Sequence, residues 1–171
     1  MATATITPNQ DTVLAEIFIA APPERVFQAI TDPEQLSRWW GQNGLYRITE
    51  GSADIRPGGK WSCAGVGADG KKFGVEGEYL EIDPPRRLVY TWTASYGVPN
   101  KTTVYWELQP QAVHGLHPNG PKKAGTGTLV KLRHEGFTDA QSCTSHGEGW
   151  KRVFGWLEAY VVHGETIDTR K

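Results

Sequence analysis

The chain has 171 residues, of which 38% are hydrophobic, 22% charged and 11% aromatic, and its formal net charge is −1. This size and composition predict one globular domain with its own core. The near-neutral charge, without a basic stripe, gives no reason to expect binding to nucleic acid or to an anionic membrane. No signal-peptide pattern or membrane-spanning run is visible. With two cysteines outside any C-x-x-C pattern, we expect reduced thiols in a cytoplasmic protein.

Residues 1–12 are predicted to be a flexible lead-in, followed by a strand over 13–20 that is rich in β-branched residues. Two prolines end this strand, and the apolar spacing of 23–31 predicts a short helix. Asp32, followed by Pro33 and Gln35, has the pattern of an N-cap for a second short helix. That helix carries the adjacent Trp39 and Trp40 and is predicted to end at Gly41–Gly44.

After these helices the apolar residues recur at every second position, as in antiparallel strands. A Pro-Gly-Gly turn at 57–59 is predicted to join two strands, and Gly77 to form a bulge within a strand over 73–82. Further strands are predicted at 87–94, 102–110 and 128–137, with a polar connection at 109–127. In the last strand Val130, Leu132 and His134 share one face.

The longest predicted helix ends the domain. Ser145 to Glu148 has the pattern of a capping box, and Gly164 is placed to terminate the helix. Apolar residues between them repeat at spacings of three and four, so one face must pack on a sheet. Residues 165–171 follow as a tail. The order of one strand, two short helices, six to seven antiparallel strands and a long helix predicts an α+β helix-grip fold, with a space between the curved sheet and the helix.

Five segments of the chain resemble one family in their order: APPERVFQAITDPEQLSRWWG, DIRPGGKW, GEYLEIDPPRRLVYTW, GTGTLVKLRHEGF and GEGWKRVFGWLEAYV. The family is the SRPBCC (START-like, Bet v-like) superfamily, in the branch of activator of heat-shock-protein-90 ATPase homologues. The resemblance covers 13–164 and implies a single ligand-binding domain with a mostly apolar cavity between sheet and helix. It implies no single activity, because members include lipid carriers, polyketide cyclases and a co-chaperone domain. It leaves a homodimer open.

Seven tryptophans in one small domain are consistent with a pocket for a flat or ring-containing molecule, although for any single aromatic residue a place in the core is the commoner case. Because neighbours on a strand alternate, we expect Trp92 and Trp106, rather than Tyr105, to face inward. Trp39 is predicted to anchor its helix and Trp40 to cap the cavity. The predicted ligand-binding residues are Trp40, Trp61, Trp92, Trp106, His134, His146, Trp150 and Phe154.

His134 has two interpretations. It is either a hydrogen-bonded core histidine, which is the commoner case, or a cavity residue that orients a ligand or acts as general acid or base. The other pairs of potentially reactive side chains favour ordinary roles. We expect His114 and His117 to lie in a solvated loop rather than to bind zinc, and the closeness of Cys143 to His146 in the sequence to be coincidental. We therefore predict no catalytic residue, metal or cofactor.

Three functions follow from these observations. The preferred one is binding of a small hydrophobic or aromatic molecule in the cavity. The first alternative is a cyclase-like or isomerase-like enzyme, which needs two titratable groups converging inside the cavity. The second is a co-chaperone-like module that acts on a heat-shock-protein ATPase, which is disfavoured because the chain shows no segment like the amino-terminal part of full activators.

Overall fold

The computed structural model describes residues 2–96, 100–113 and 125–170. Within these ranges the chain forms nine strands and three helices. In chain order they are β1 (Thr3–Ile6), β2 (Thr12–Ile19), α1 (Pro23–Thr31), α2 (Pro33–Trp39), β3 (Gly41–Gln42), β4 (Tyr46–Ala53), β5 (Lys60–Gly67), β6 (Lys72–Asp83), β7 (Arg87–Ala94), β8 (Lys101–Val113), β9 (Gly125–Glu135) and α3 (Ala140–His163).

All the strands belong to one antiparallel sheet with the order β1-β2-β9-β8-β7-β6-β5-β4-β3. The segment holding α1 and α2 carries the chain from β2 to the opposite edge, and a meander from β3 to β9 then returns to pair with β2. Helix α3 packs against β1, β2 and α1 on the inner face. This arrangement confirms the predicted α+β helix-grip fold.

The sheet has more strands than the six or seven predicted. Residues 3–6 are not a flexible lead-in, since the alternating segment Thr-Ala-Thr-Ile pairs with β2 from Thr3↔Glu16 to Ile6↔Val13. Strand β3 is also additional, since its two residues, Gly41 and Gln42, pair with β4 but are too few to show an apolar alternation. Both strands depend on pairing with neighbours more than on their own pattern.

Gly77 is not the bulge that the sequence predicts. The shift of register between β6 and β7 lies between Tyr79 and Glu81. Gly77 instead marks a close approach of strands, because a Cβ atom there would lie 1.8 Å from the Thr91 carbonyl oxygen and 2.6 Å from the Trp61 Nε1 atom. A glycine is therefore required by space.

The start of α2 follows the predicted cap. The Asp32 carboxylate accepts a hydrogen bond from the Glu34 backbone N–H at 3.0 Å and another from the Gln35 side chain at 3.2 Å. The helix ends at Trp39, and Trp40 already has an extended backbone as the C-cap residue. The next residue, Gly41, has φ of 138°, a conformation that favours glycine.

Helix α3 begins earlier than predicted. Its N-cap is Asp139, whose carboxylate accepts from the Ser142 backbone N–H at 2.9 Å, so Ser145 lies inside the helix instead of capping it. Aspartate caps a helix as well as serine does, and two cap-like residues compete in this segment. The end is as predicted, with Gly164 at φ of 68°. None of the described helices combines the length and hydropathy needed to cross a membrane.

Residues 165–170, which we call the C-terminal strap, fold back onto the end of α2. Ile167 is fully buried, and its N–H donates to the Arg38 carbonyl at 2.9 Å. The Arg170 guanidinium donates to the carbonyl oxygens of Trp39 and Gly41. The strap thus fixes the backbone on both sides of Trp40.

Candidate functional site

A cavity of about 520 Å³ lies on the inner face of the sheet, under β4 to β7. Its other walls are α3 and the residues around α2. The remaining inner strands, β2, β9 and β8, pack directly against α3 and form the solid core. The space between the sheet and α3 is therefore filled by side chains on one side and empty on the other. Only inward-facing side chains on the empty side can contact a ligand.

Indole rings make up much of the cavity wall. Trp40 stacks on Trp92, with ring centroids 6.4 Å apart and an angle of 22° between the planes. The ring centroid of Trp61 lies 5.6 Å from that of Trp92, and the centroids of Trp40 and Trp150 lie 5.8 Å apart in an edge-on arrangement. Trp40 follows the end of α2, and the other three rings come from β5, β7 and α3, so four separate parts of the chain supply them.

The adjacent tryptophans at the end of α2, Trp39 and Trp40, are placed differently. Trp39 is fully buried, and its Nε1–H donates to the Ala29 carbonyl of α1 at 2.9 Å, which ties α2 to the body of the protein. Trp40 lines the cavity, and its Nε1–H donates to the Tyr46 hydroxyl at 3.1 Å. The positions agree with the anchor and cap predicted for the two rings.

Three predicted ligand-binding residues do not line the cavity. Trp106 and His134 lie on β8 and β9, under the filled half of the grip, and they are 1% and 0% exposed. Phe154 packs on Trp106 at 5.7 Å. It follows Val153, which does line the cavity, and one helical residue turns the side chain away by about 100°. All three face inward as expected, but into the core.

His134 is a hydrogen-bonded core histidine. Its Nδ1 atom accepts from Trp150 Nε1–H at 3.0 Å, so the proton of the neutral ring lies on Nε2. That Nε2–H faces the Thr102 hydroxyl at 2.6 Å, and the hydroxyl donates to the Trp92 carbonyl at 3.1 Å. Burial, with a smaller contribution from the nearby His146, holds the pKa of His134 well below its usual range. The general acid or base role considered for His134 therefore has no support.

His146, one turn before Trp150 on α3, does line the cavity. Its Nδ1 atom lies 2.8 Å from the Ser142 carbonyl oxygen. Burial lowers the pKa of His146, an effect that the hydrogen bond to Ser142 partly offsets. The imidazole is therefore neutral near pH 7.

Several tyrosines that were not predicted as ligand-binding residues also line the cavity. Tyr90 lies two residues before Trp92 on β7, and the alternation of the strand alone could have identified it. Tyr46 is the first residue of β4, and no motif of the sequence singled out this position. Burial raises the pKa of Tyr46 to about 12. Tyr79, Tyr96 and Phe73 complete the aromatic lining.

The cysteines and the metal-binding residue types do not form a reactive site among the described residues. Cys143 is fully buried, and burial raises the pKa of its thiol. Cys63 lines the cavity, but burial raises its pKa to about 11, so the thiol stays protonated. The described residues contain no cluster of metal-binding side chains, and His114 and His117 lie outside them.

Charged side chains lie at the solvent end of the cavity. Lys71, Lys72 and Arg152 contribute three positive charges there, against one carboxylate from Asp69. All four are exposed. The opening is therefore net positive, whereas the interior presents aromatic rings.

The chain resembles known proteins in both sequence and structure. The family model for activator of Hsp90 ATPase homolog 1-like proteins matches residues 20–115. A protein from Chromobacterium violaceum is 27% identical with a TM-score of 0.68, over 88% of this chain and 97% of that one. The AHSA1 protein from Silicibacter pomeroyi is 22% identical with a TM-score of 0.71, over 90% and 99% of the two chains. Among curated proteins, none matches significantly.

Proposed function

Because the chain belongs to the family of activator of Hsp90 ATPase homolog 1-like proteins, whose fold commonly binds hydrophobic ligands, we propose that it binds a small, ring-containing hydrophobic molecule in the cavity. The observation that carries the proposal is the cavity of about 520 Å³ walled by the four indole rings. This volume lies within the range of about 300–1,000 Å³ that is usual for small-molecule sites.

The walls favour a flat ligand. The rings of Trp40 and Trp92 are stacked, and the ring of Trp61 beside them is tilted by 41° relative to that of Trp92. Aromatic faces stack on other flat rings and bury large apolar areas with few rotatable bonds. The apolar contact supplies affinity, whereas the few polar atoms of the wall set the orientation.

The alternative functions have less support. The cyclase-like alternative depends on His134, which is hydrogen-bonded inside the core and does not line the cavity. The co-chaperone alternative remains a prediction drawn from the family resemblance alone.

Two glycines of α3 offer a matched test. Gly149 lines the cavity and Gly155 is exposed, and at both positions a Cβ atom would meet no other atom within 4 Å. A leucine at either site improves helix propensity to a similar degree. Only Gly149→Leu places a side chain inside the cavity.

The probe is 1-anilinonaphthalene-8-sulfonate, a ring system whose sulfonate suits the positive opening. We expect the unmodified protein and Gly155→Leu to bind it with equal affinity in a fluorescence titration, and Gly149→Leu to bind at least about tenfold more weakly. Equal affinity of the two variants would show that the probe binds elsewhere and would overturn the proposal. Circular dichroism confirms that both variants are folded.

A further inference from the structure

Two neighbouring rings of the cavity wall carry polar nitrogens without partners. The Nε1–H of Trp92 and the Nε2 atom of His146 are shielded from solvent, and neither has a hydrogen-bond partner among the described residues. Their ring centroids are 6.3 Å apart, with the planes nearly perpendicular. Leaving such a group unpaired costs about 1–3 kcal/mol, so native structures seldom retain one without a reason.

The role of each nitrogen is fixed. The Ser142 carbonyl oxygen can only accept, so the His146 Nδ1 atom, 2.8 Å away, must carry the proton. In the neutral ring Nε2 is then an acceptor with a free lone pair. The Trp92 Nε1–H can only donate. The wall therefore presents one unmet acceptor and one unmet donor on adjacent rings.

Other tryptophans of the interior show that this is not the usual state of the chain. Trp39, Trp40, Trp106 and Trp150 each donate to a carbonyl, a hydroxyl or an imidazole nitrogen. Trp61 also lacks a partner, but its Nε1 atom lies against the backbone of Gly77 on β6. The pair on Trp92 and His146 is different, because both rings line the large cavity and a second cavity of about 330 Å³.

We infer that the ligand carries a hydroxyl group on its ring, as in a phenol, and that this hydroxyl donates to His146 Nε2 and accepts from Trp92 Nε1–H. The inference rests on the proposed function. A hydroxyl fits because one oxygen both donates and accepts, whereas an ether or a ketone could meet only the tryptophan. Both nitrogens are closed to solvent in this structure, so the proposed contact requires a small rotation of the two rings when the hydroxyl binds.

The test compares three probes of the same ring system: 2-naphthol, 2-methoxynaphthalene and naphthalene. Their dissociation constants are measured by displacement of 1-anilinonaphthalene-8-sulfonate. In the unmodified protein we expect 2-naphthol to bind about tenfold more tightly than 2-methoxynaphthalene, because one hydrogen bond to a buried acceptor contributes about that much to the affinity. In His146→Phe, which keeps a flat ring but removes the acceptor nitrogen, the preference for 2-naphthol over 2-methoxynaphthalene should vanish.

The matched control is His163→Phe, on the exposed end of α3, which should keep the tenfold preference. Equal affinities of 2-naphthol and 2-methoxynaphthalene in the unmodified protein would overturn the inference and leave the proposed function standing. The same follows if His146→Phe retains the preference. If none of the three probes displaces the dye, the proposed function itself fails, and this inference fails with it.

Discussion

The buried, neutral His134 makes the protein sensitive to acid. Its Nδ1 atom accepts from Trp150, and protonation would replace this hydrogen bond by two opposed N–H groups. In the unfolded chain the pKa of histidine is about 6.5, whereas burial holds the pKa of His134 far lower in the folded protein. The unfolded state therefore binds the proton first, and stability is lost as the pH falls through about 6.5.

The size of the loss follows from this linkage. For a histidine that stays neutral when folded, the free energy of unfolding falls by about 1.4 kcal/mol between pH 7.5 and pH 5.5. His146 adds a smaller decrease, because its pKa is lowered too but its ring is less deeply buried. We expect urea unfolding, followed by circular dichroism at the two pH values, to show a decrease of about 1.5–2.5 kcal/mol for the unmodified protein.

The variant His134→Gln tests whether His134 causes the loss of stability at low pH. It lowers stability at both pH values, but the difference between them should shrink by about 1.4 kcal/mol. The control His163→Gln, at an exposed site, should leave the difference unchanged. A full pH difference in His134→Gln would refute the reasoning. If that variant does not fold, NMR titration of the unmodified protein decides, since the pKa of the His134 ring should lie well below that of an ordinary histidine.

Two further predictions concern stability and are measured by urea unfolding. Gly77→Ala should destabilise the fold by more than about 3 kcal/mol, because its Cβ atom would overlap the Thr91 carbonyl. The control Gly155→Ala should stabilise it by about 0.5–1 kcal/mol, and similar effects of the two changes would contradict the close approach. Arg170→Ala should cost about 1–3 kcal/mol, since it strips buried carbonyls of their donor. Arg56→Ala, at an exposed ion pair, should stay within about 0.5 kcal/mol, and an equal loss in both would refute the role of the strap.

The sequence predicted those elements whose signal is local. The alternation of β9 placed Val130, Leu132 and His134 on the inner face, where all three are buried. Asp32 and Pro33 located the start of α2 because a cap and a proline act within one turn. By contrast β3 escaped prediction, since two residues show no alternation and the position of the strand depends on pairing with β4.

The candidate site was predicted less completely, for a physical reason. Period-two alternation states which side chains face inward, and both Trp92 and Trp106 do. It does not state where α3 fills the grip and where it leaves space, because that depends on packing between distant segments. Trp92 therefore meets the cavity whereas Trp106 meets Phe154.

The close packing of the tryptophans has an optical consequence. Trp39 lies 5.3 Å from Trp40, which lies 6.4 Å from Trp92, and Trp106 lies 5.6 Å from Trp150. At such separations excitation energy passes between indoles before it is emitted. Excitation is therefore exchanged in both directions between the core rings and the rings of the cavity wall, and a ligand that quenches a wall ring also lowers the emission of its neighbours. The tryptophan fluorescence of the whole interior therefore reports on the state of the cavity.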